Sequence, residues 1–299
     1  MPISRDPDEA EQSGGSLGGG APRVPTCFHH KDRPTGRRCT RCGRPACPTC
    51  LRDASVGAHC FECVRAAGPS EQQRMPQRAS GWAAVPPVTK GIILLNAVVF
   101  VLIVMSAGGD LGGGSGRLQG ELALFGPDIE YGEWWQLYRL VTSGFVHFGL
   151  IHLGFNLVIL YRFGEMLEPE LGPLRFTGLY LASLLTGSFG ALALSPHAFT
   201  GGASGAVFGL VAAAAIGLHQ RGINVWQSGV GGLLVINLVL TFVVPGISIG
   251  GHLGGMVAGF LVGAFMLRVK TTRRSVIDGV LVAAIISALA VAGSAMVAR

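Results

Sequence analysis

Seven long apolar segments constrain this chain more than any other feature of its sequence. Lipid offers no hydrogen-bond partners to a backbone, so segments of this length are expected to cross a membrane as helices. Charged residues make up 13% of the chain, about half of the roughly 25% typical of soluble domains. The sequence therefore predicts an all-α polytopic membrane protein with seven helices. The first and fourth segments are marginal in length, because a membrane span needs about 17–25 residues. The segments are 91–107, 148–167, 176–194, 203–218, 225–244, 249–267 and 276–297.

Basic residues between these segments predict the orientation of the chain. The loops 195–202 and 245–248 contain no Lys or Arg, and the long first loop, 108–147, contains only Arg117 and Arg139. The positive-inside rule then places the N-terminus in the cytoplasm and the C-terminus outside. The connections on the cytoplasmic side contain Lys90, Arg162, Arg175, Arg221, Arg268, Lys270, Arg273 and Arg274.

Charge and composition also bound the partners and the membrane. The flanking residues and the basic N-terminal segment account for the net charge of +6, so no nucleic-acid partner is expected. The first 80 residues are polar and rich in Gly and Pro, and no signal peptide is expected before the first span. Together with the Gly/Ala/Arg-rich composition, this indicates a bacterial plasma membrane.

Composition divides the chain into four regions. Residues 1–24 are low in apolar content and predict a disordered tail, and residues 25–66 contain a cysteine cluster. Residues 67–88, with four prolines, predict a flexible linker. Residues 89–299 form the membrane domain with its seven helices. The aromatic-basic second half of its first loop is expected at the membrane interface as short helices.

All seven cysteines fall in residues 25–66, in pairs separated by two residues. With one histidine they supply eight soft ligands, enough for two structural, tetrahedral Zn²⁺ sites. An odd number of cysteines in a cytoplasmic segment argues against the alternative, a disulfide cluster. The spacing leaves open which pairs share an ion, and His59 is an alternative ligand to Cys60. The expected ligands are Cys27, His30, Cys39, Cys42, Cys47, Cys50, Cys60 and Cys63.

This pattern resembles cross-brace zinc modules such as the B-box. The resemblance implies that the first and third pairs share one ion, and that the second and fourth pairs share the other. A fully ligated site has no open position, so these ions are expected to stabilise the module and to take no part in catalysis. A cytoplasmic protein is the expected partner of the module.

Ser204 and His252 lie near the beginnings of two glycine-rich membrane segments. The segment that contains Ser204 has about 16 residues and spans roughly 24 Å, less than the ~30 Å hydrocarbon core. Its N-terminal end is therefore expected below the membrane surface, under a cavity open to water. The first-turn N–H groups there have no intrahelical partners and can bind an oxyanion. The alternative is a serine that only bonds its own helix.

A third segment contains His152 and Asn156, four residues apart on one helical face. Neutral His and Asn side chains can both donate hydrogen bonds to a developing oxyanion. The alternative is a hydrogen-bonded pair that only joins helices.

These motifs together resemble the rhomboid family of intramembrane serine proteases. They are G-A-S-G (202–205), G-H-L-G-G-M-V-A-G (251–259), H-x₃-N (152–156), the Tyr138-Arg139 pair before T-x₄-H (142–147), and E-x₃-G (168–172). The resemblance covers roughly residues 89–270 and implies a six-plus-one helix bundle. Tyr138 departs from the usual Trp of the pair. Ala206 excludes the G-x-S-x-G elbow of α/β-hydrolases.

The resemblance also implies a role for each residue and requires no cofactor for catalysis. Ser204 attacks the scissile carbonyl, and His252 acts as the base of a two-residue catalytic dyad. Asn156, His152 and the Ser204 amide form the oxyanion hole, Arg139 holds the interfacial loop, and Phe208 packs on the histidine ring. The expected activity is endoproteolysis of single-pass transmembrane proteins near the external face of the bilayer.

Two other functions compete with this interpretation. A non-proteolytic relative would bind transmembrane helices as a scaffold, but such relatives typically lose the serine or the histidine. A transporter or channel would call for inverted repeats or carboxylates at mid-membrane depth, and the sequence has neither.

Overall fold

The computed structural model describes residues 24–53, 57–66, 81–112, 116–130, 134–268 and 273–297. The chain divides into two compact units, residues 1–79 and 80–299. The predicted tail, apart from Val24, and residues 67–80 of the predicted linker lie outside the described residues.

The first unit is a small hairpin built around its cysteines. Strands β1 (Leu51–Asp53) and β2 (Ala58–Cys60) pair antiparallel, with Leu51 opposite Cys60. A 3₁₀ turn at Pro48–Cys50 precedes them, and helix α1 (Phe61–Ala66) follows. The buried residues of this unit are mainly sulfur-bearing, since Cys27, Cys39, Cys47, Cys50 and Cys60 are nearly inaccessible. So few apolar side chains cannot supply an ordinary hydrophobic core for a segment of this size.

The second unit is a bundle of apolar helices, as the sequence predicted. Five of the described helices are long and apolar enough to cross a membrane, namely α2 (Pro87–Ser106), α6 (Leu150–Leu171), α7 (Pro173–Leu194), α10 (Ile249–Arg268) and α11 (Arg273–Val297). Two apolar helices are shorter, α8 (Ser204–Gln220) and α9 (Val230–Val243). The loop between α2 and α6 contains three short helices, α3 (Arg117–Leu122), α4 (Gly126–Glu130) and α5 (Arg139–Thr142).

Two predicted span lengths were wrong. The first span is not marginal, because α2 has 20 residues and begins at Pro87, where the fixed φ of proline suits the first turn of a helix. The fifth was predicted over 225–244, yet α9 has 14 residues and begins at Val230. The Asn224 side chain accepts hydrogen bonds from the N–H groups of Trp226 and Gln227. Gly229 then takes a left-handed conformation at φ +82°, which glycine adopts readily, and the helix begins only after this turn.

Helix α10 packs between α7 and α8 through direct backbone contact. A methyl group at Gly255 would lie 2.9 Å from Gly205 Cα, and one at Gly259 would overlap the backbone of Gly209. On the other side, a methyl group at Gly187 of α7 would lie 2.9 Å from the Gly251 carbonyl oxygen. Small residues at such positions let membrane helices approach closely. This contact brings the first turns of α8 and α10 together.

A buried carboxylate joins α6 to the first turn of α2. Glu168 accepts hydrogen bonds from the N–H groups of Val88 and Thr89 and from the Thr89 hydroxyl, at 2.7–2.9 Å. The first N–H groups of a helix have no intrahelical partners, and an anion there is also favoured by the helix dipole. Glu168 thereby caps α2 and holds it against α6.

Candidate active site and metal-binding clusters

Ser204 is the first residue of α8 and is half-buried. The backbone before it is fixed by two contacts: Gly202 N–H donates to the Ser143 carbonyl at 2.8 Å, and Ala203 N–H lies 3.5 Å from His147 Nε2. As the first helical residue, Ser204 has an N–H group with no acceptor in its own helix. The hydroxyl and this N–H therefore belong to the same helix end.

His152 lies beside Ser204, and the two meet at Gly202. A Cβ placed on Gly202 would lie 2.9 Å from His152 Nε2 and 3.6 Å from Ser204 Oγ. Both atoms therefore border the small space that a side chain at residue 202 would occupy. Gly202 has a φ of +129°, which disfavours any residue with a side chain.

The protonation of His152 follows from its second ring nitrogen. Phe148 N–H donates to His152 Nδ1 at 3.4 Å, so in the neutral ring the proton resides on Nε2. Nε2 is also the nitrogen that faces the space at Gly202. The ring therefore presents its N–H donor to the space at Gly202, and a donor held in this way can stabilise a developing negative charge.

Asn156 lies one turn after His152 on α6 and is buried. Its side-chain amide donates to the His152 carbonyl oxygen at 2.9 Å. An amide nitrogen carries two hydrogens, and this bond to its own helix uses one of them. No described contact joins Asn156 to Ser204.

His252 lies in the first turn of α10 with two defined contacts. Its ring stacks on Phe208 with centroids 4.2 Å apart and an interplanar angle of 20°. Phe208 follows Ser204 by four residues on α8, so the two side chains share one face of that helix. The second contact was not anticipated from the sequence: Thr241 Oγ1 of α9 lies 2.7 Å from His252 Nδ1.

Arg139 holds the first loop and lies outside the group of residues around Ser204. Its guanidinium donates to the carbonyl oxygens of Gly120 and Ala123 at 2.7 and 2.8 Å, and it pairs with Asp128 at 3.1 Å. Only 6% of Arg139 is exposed. These contacts tie α3, α4 and α5 together, in agreement with a positioning role.

His147 is a further candidate near Ser204. The sequence places it in the T-x₄-H motif, but no role in the site was predicted for it. It is fully buried, and its ring lies 5.0 Å from that of His152 in an edge-to-face arrangement. Its Nε2 faces the N–H of Ala203. His147 therefore supports both the loop before Ser204 and the His152 ring.

The first unit brings its predicted ligands into two separate clusters. One contains Cys27, His30, Cys47 and Cys50, and the other contains Cys39, Cys42, Cys60 and Cys63; in each, the ligand atoms lie within 4.8 Å of one another. Cys60 belongs to the second cluster and its neighbour His59 does not. The arrangement matches the pairing that the cross-brace resemblance implies.

The distances within these clusters suit a tetrahedral ion. Zn–S bonds of about 2.3 Å in a tetrahedron place two sulfurs about 3.8 Å apart. Cys42 Sγ and Cys60 Sγ are separated by 3.8 Å. His30 Nδ1 lies 3.4 Å from Cys47 Sγ and 3.2 Å from Cys50 Sγ, close to the roughly 3.6 Å of a mixed N/S site.

Neighbouring donors favour the thiolate form of cysteines in both clusters. The Thr49 hydroxyl, 3.0 Å from the sulfur, lowers the pKa of Cys47 to about 5. Hydrogen bonds from Arg44 lower the pKa of Cys42 to about 6. Thiolates are the form that binds metal. Arg44 also pairs with Glu62 at 2.5 Å and lies 4.4 Å from the centre of the Phe28 ring.

Comparison with known proteins identifies the family of this chain. The Rhomboid domain family matches residues 134–269. The chain is 33% identical to the rhomboid protease GluP of Bacillus subtilis over 65% of this chain and 38% of that protein. It is 33% identical to the rhomboid-family protein YdcA of the same organism, over 49% of this chain and 73% of that protein. It is 34% identical to Rhomboid-like protease 1 of Toxoplasma gondii, over 47% of this chain and 50% of that protein. The chain belongs to the rhomboid family and is a multi-pass membrane protein.

Proposed function

We propose that this protein is an intramembrane serine endopeptidase that cleaves single-pass, membrane-anchored substrates. The observation that supports it best is the convergence at Gly202, where His152 Nε2 and Ser204 Oγ lie 2.9 and 3.6 Å from the position that a Cβ would take. Beside it, His252 stacks on the residue one turn after Ser204. The proposed oxyanion donor, nucleophile and base thus lie on α6, α8 and α10, and α8 contacts both of the other helices.

The reaction uses Ser204 and His252 in two steps. Ser204 Oγ attacks the scissile carbonyl carbon while His252 Nε2 accepts the hydroxyl proton. When the C–N bond breaks, His252 returns that proton to the leaving amine, and an acyl-enzyme remains. A water molecule, deprotonated by the same histidine, then attacks the ester carbonyl and releases the carboxylic acid and the Ser204 hydroxyl.

The negative charge that develops on the carbonyl oxygen is stabilised by fixed donors. The His152 Nε2–H borders the space at Gly202, the Ser204 N–H lies at the first residue of α8, and the remaining Asn156 N–H is the third candidate donor. Loss of one such donor costs about 10²–10³-fold in kcat in enzymes that use an oxyanion hole. Arg139 contributes indirectly, because it holds the loop that leads to α6.

The distribution of basic residues supports an orientation for this site. With the N-terminus in the cytoplasm, the first turns of α6, α8 and α10 lie toward the external face, and cleavage occurs near that surface. Composition favours a bacterial plasma membrane. The activity is tested by reconstituting the full chain in liposomes with a reporter transmembrane substrate. The wild type is expected to cleave, and Ser204→Ala is not.

A matched serine variant controls for general effects of the substitution. Ser287 of α11 only bonds the Ala283 carbonyl of its own helix, at 2.8 Å, so Ser287→Ala is expected to cleave as the wild type does. Cleavage by Ser204→Ala at the wild-type rate would refute the serine mechanism. A wild type that binds transmembrane helices without cleaving them would instead favour the scaffold function.

We also propose that residues 25–66 bind two structural Zn²⁺ ions, one in each cluster, and that the module recruits a cytoplasmic protein. The ions would stabilise the fold of a unit that lacks an ordinary apolar core. Metal analysis of the full chain is expected to give two zinc ions per chain, and one in either Cys47→Ser or Cys60→Ser. His59→Ala is the matched control and is expected to keep both. Less than one zinc per wild-type chain would refute this proposal.

A further inference from the structure

Thr241 is the buried polar residue of a helix that is otherwise largely exposed. Of the described residues of α9, only Val230, Gly231 and Thr241 are buried. Val230 and Gly231 lie at the beginning of the helix, whereas Thr241 lies in its last turn with 2% of its surface exposed. Its hydroxyl lies 2.7 Å from His252 Nδ1. The contact with His252 therefore joins the far end of α9 to α10.

The hydrogen bonds of Thr241 determine which atom donates the proton in the contact between Thr241 and His252. Thr241 Oγ1 also lies 2.7 Å from the carbonyl oxygen of Asn237, and a carbonyl oxygen can only accept. A hydroxyl has one proton, and the Asn237 carbonyl receives it. Thr241 Oγ1 must then accept a hydrogen bond from His252 Nδ1–H.

This direction places the imidazole in the tautomer that a base needs. With its proton on Nδ1, the neutral ring has its lone pair on Nε2. The Phe208 ring fixes the plane of the imidazole, and Thr241 fixes its rotation within that plane. Among the described residues, no carboxylate is hydrogen-bonded to His252.

We infer that Thr241 is a positioning residue for the base, in the role that a third residue has in serine-protease triads. This inference rests on the proposed protease function. When His252 accepts the Ser204 proton, the ring becomes cationic, and the Thr241 oxygen accepts a stronger, charge-assisted hydrogen bond. Thr241 contacts the base at Nδ1, whereas the proton of Ser204 is transferred to Nε2.

Thr241→Val tests the inference, because valine has the same shape and no hydroxyl. Hydrogen bonds to charged groups stabilise by an amount that corresponds to about 10- to 100-fold in rate. We expect kcat to fall by about that factor in the liposome assay, with KM within about twofold of the wild-type value. Thr241→Ser is expected to keep most of the wild-type kcat, because serine retains the hydroxyl.

A matched control uses the same substitution at another helical threonine. Thr177 of α7 bonds the Pro173 carbonyl of its own helix at 2.9 Å, as Thr241 bonds Asn237, but it lies outside the site. Thr177→Val is expected to leave kcat unchanged. Thermal unfolding of each variant shows whether a lower rate reflects loss of folded protein.

A tautomer measurement on the wild type tests the inference without any variant of Thr241. Nitrogen-15 spectra of histidine-labelled protein, with the His252 signal identified by its loss in His252→Ala, are expected to show the proton on Nδ1. A proton on Nε2 would overturn the inference, as would an unchanged kcat in folded Thr241→Val. If the wild type fails to cleave, or Ser204→Ala cleaves as well as it does, the protease function itself fails.

Discussion

Gly202→Ala places a methyl group in the small space between Ser204 and His152, and it is the sharpest single test of the site. The new methyl carbon would lie 2.8 Å from His152 Cε1 and 2.9 Å from Nε2, closer than such atoms normally approach. His152 could rotate away only by losing the hydrogen bond from Phe148 N–H. In either case the space for the carbonyl oxygen of a substrate is lost.

The magnitude follows from two separate effects. Loss of one oxyanion donor costs about 10²–10³-fold in kcat, and a filled space affects at least one donor. The backbone at φ +129° adds strain of about 1–3 kcal/mol for a residue with a side chain. This strain is smaller than the free energy of unfolding of a typical protein, about 5–15 kcal/mol, so the variant remains folded. We therefore expect a folded protein with kcat lowered by at least about 100-fold.

The assay compares initial cleavage rates in liposomes with thermal unfolding of the same preparations. Gly154→Ala is the matched control, because Gly154 lies two residues from His152 on α6 and a methyl group there meets no atom within 4 Å. It is expected to keep full activity and to gain stability, by up to about 1 kcal/mol. Cleavage by Gly202→Ala within threefold of the wild type would refute the placement of the oxyanion at this space.

Three further outcomes are expected. Phe208→Ala removes the ring stacked on His252, and because such a pair contributes about 0.5–1.5 kcal/mol, kcat measured in liposomes should fall about two- to tenfold. An unchanged kcat would show that the stack does not position the base. Gly259→Leu forces a side chain into the backbone of Gly209, and at about 1–3 kcal/mol or more it should lower the unfolding temperature, which Gly154→Ala should not. Glu168→Ala removes the acceptor of three hydrogen bonds at the first turn of α2. It should destabilise the folded state by about 1–3 kcal/mol in denaturant titrations, and equal stability would contradict the capping role.

The sequence was most informative where one physical constraint dominates. Long apolar segments can only be helices in lipid, so the helical bundle and its order along the chain were predictable. The beginning of α9 was not, because it depends on one side chain, that of Asn224, and on the left-handed Gly229. The mean hydropathy of an apolar segment does not show local hydrogen bonds of this kind.

The candidate site shows the same division. Ser204, His252 and His152 stand out in the sequence as candidates because ionisable or nucleophilic side chains in apolar helices are costly and seldom without function. Thr241 does not stand out, since a threonine in a membrane helix commonly bonds its own backbone, as this one also does. Its second contact, with His252, depends on how two helices pack, and no spacing along the chain records that.

The pairing of zinc ligands lies between these cases. Spacing alone identified eight candidate ligands but left several pairings open. Cys60 joins the second cluster, where its N–H donates to Cys39 Sγ at 3.2 Å, while the loop that follows Cys27 folds back onto the 3₁₀ turn at Pro48–Cys50. The assignment thus required three-dimensional proximity.

The enclosure of α8 has a consequence for how the surrounding lipid can act on this protein. Every residue from Gly205 to Ala214 is buried by other parts of the chain, whereas α2 and α11 are largely open to acyl chains. A change of bilayer thickness therefore acts first on the outer helices, through their tilt. Ser204 is the first residue of α8, and the turns that follow it contact protein rather than lipid. Acyl-chain length should thus influence how substrates reach the site more than it influences the geometry of the nucleophile itself.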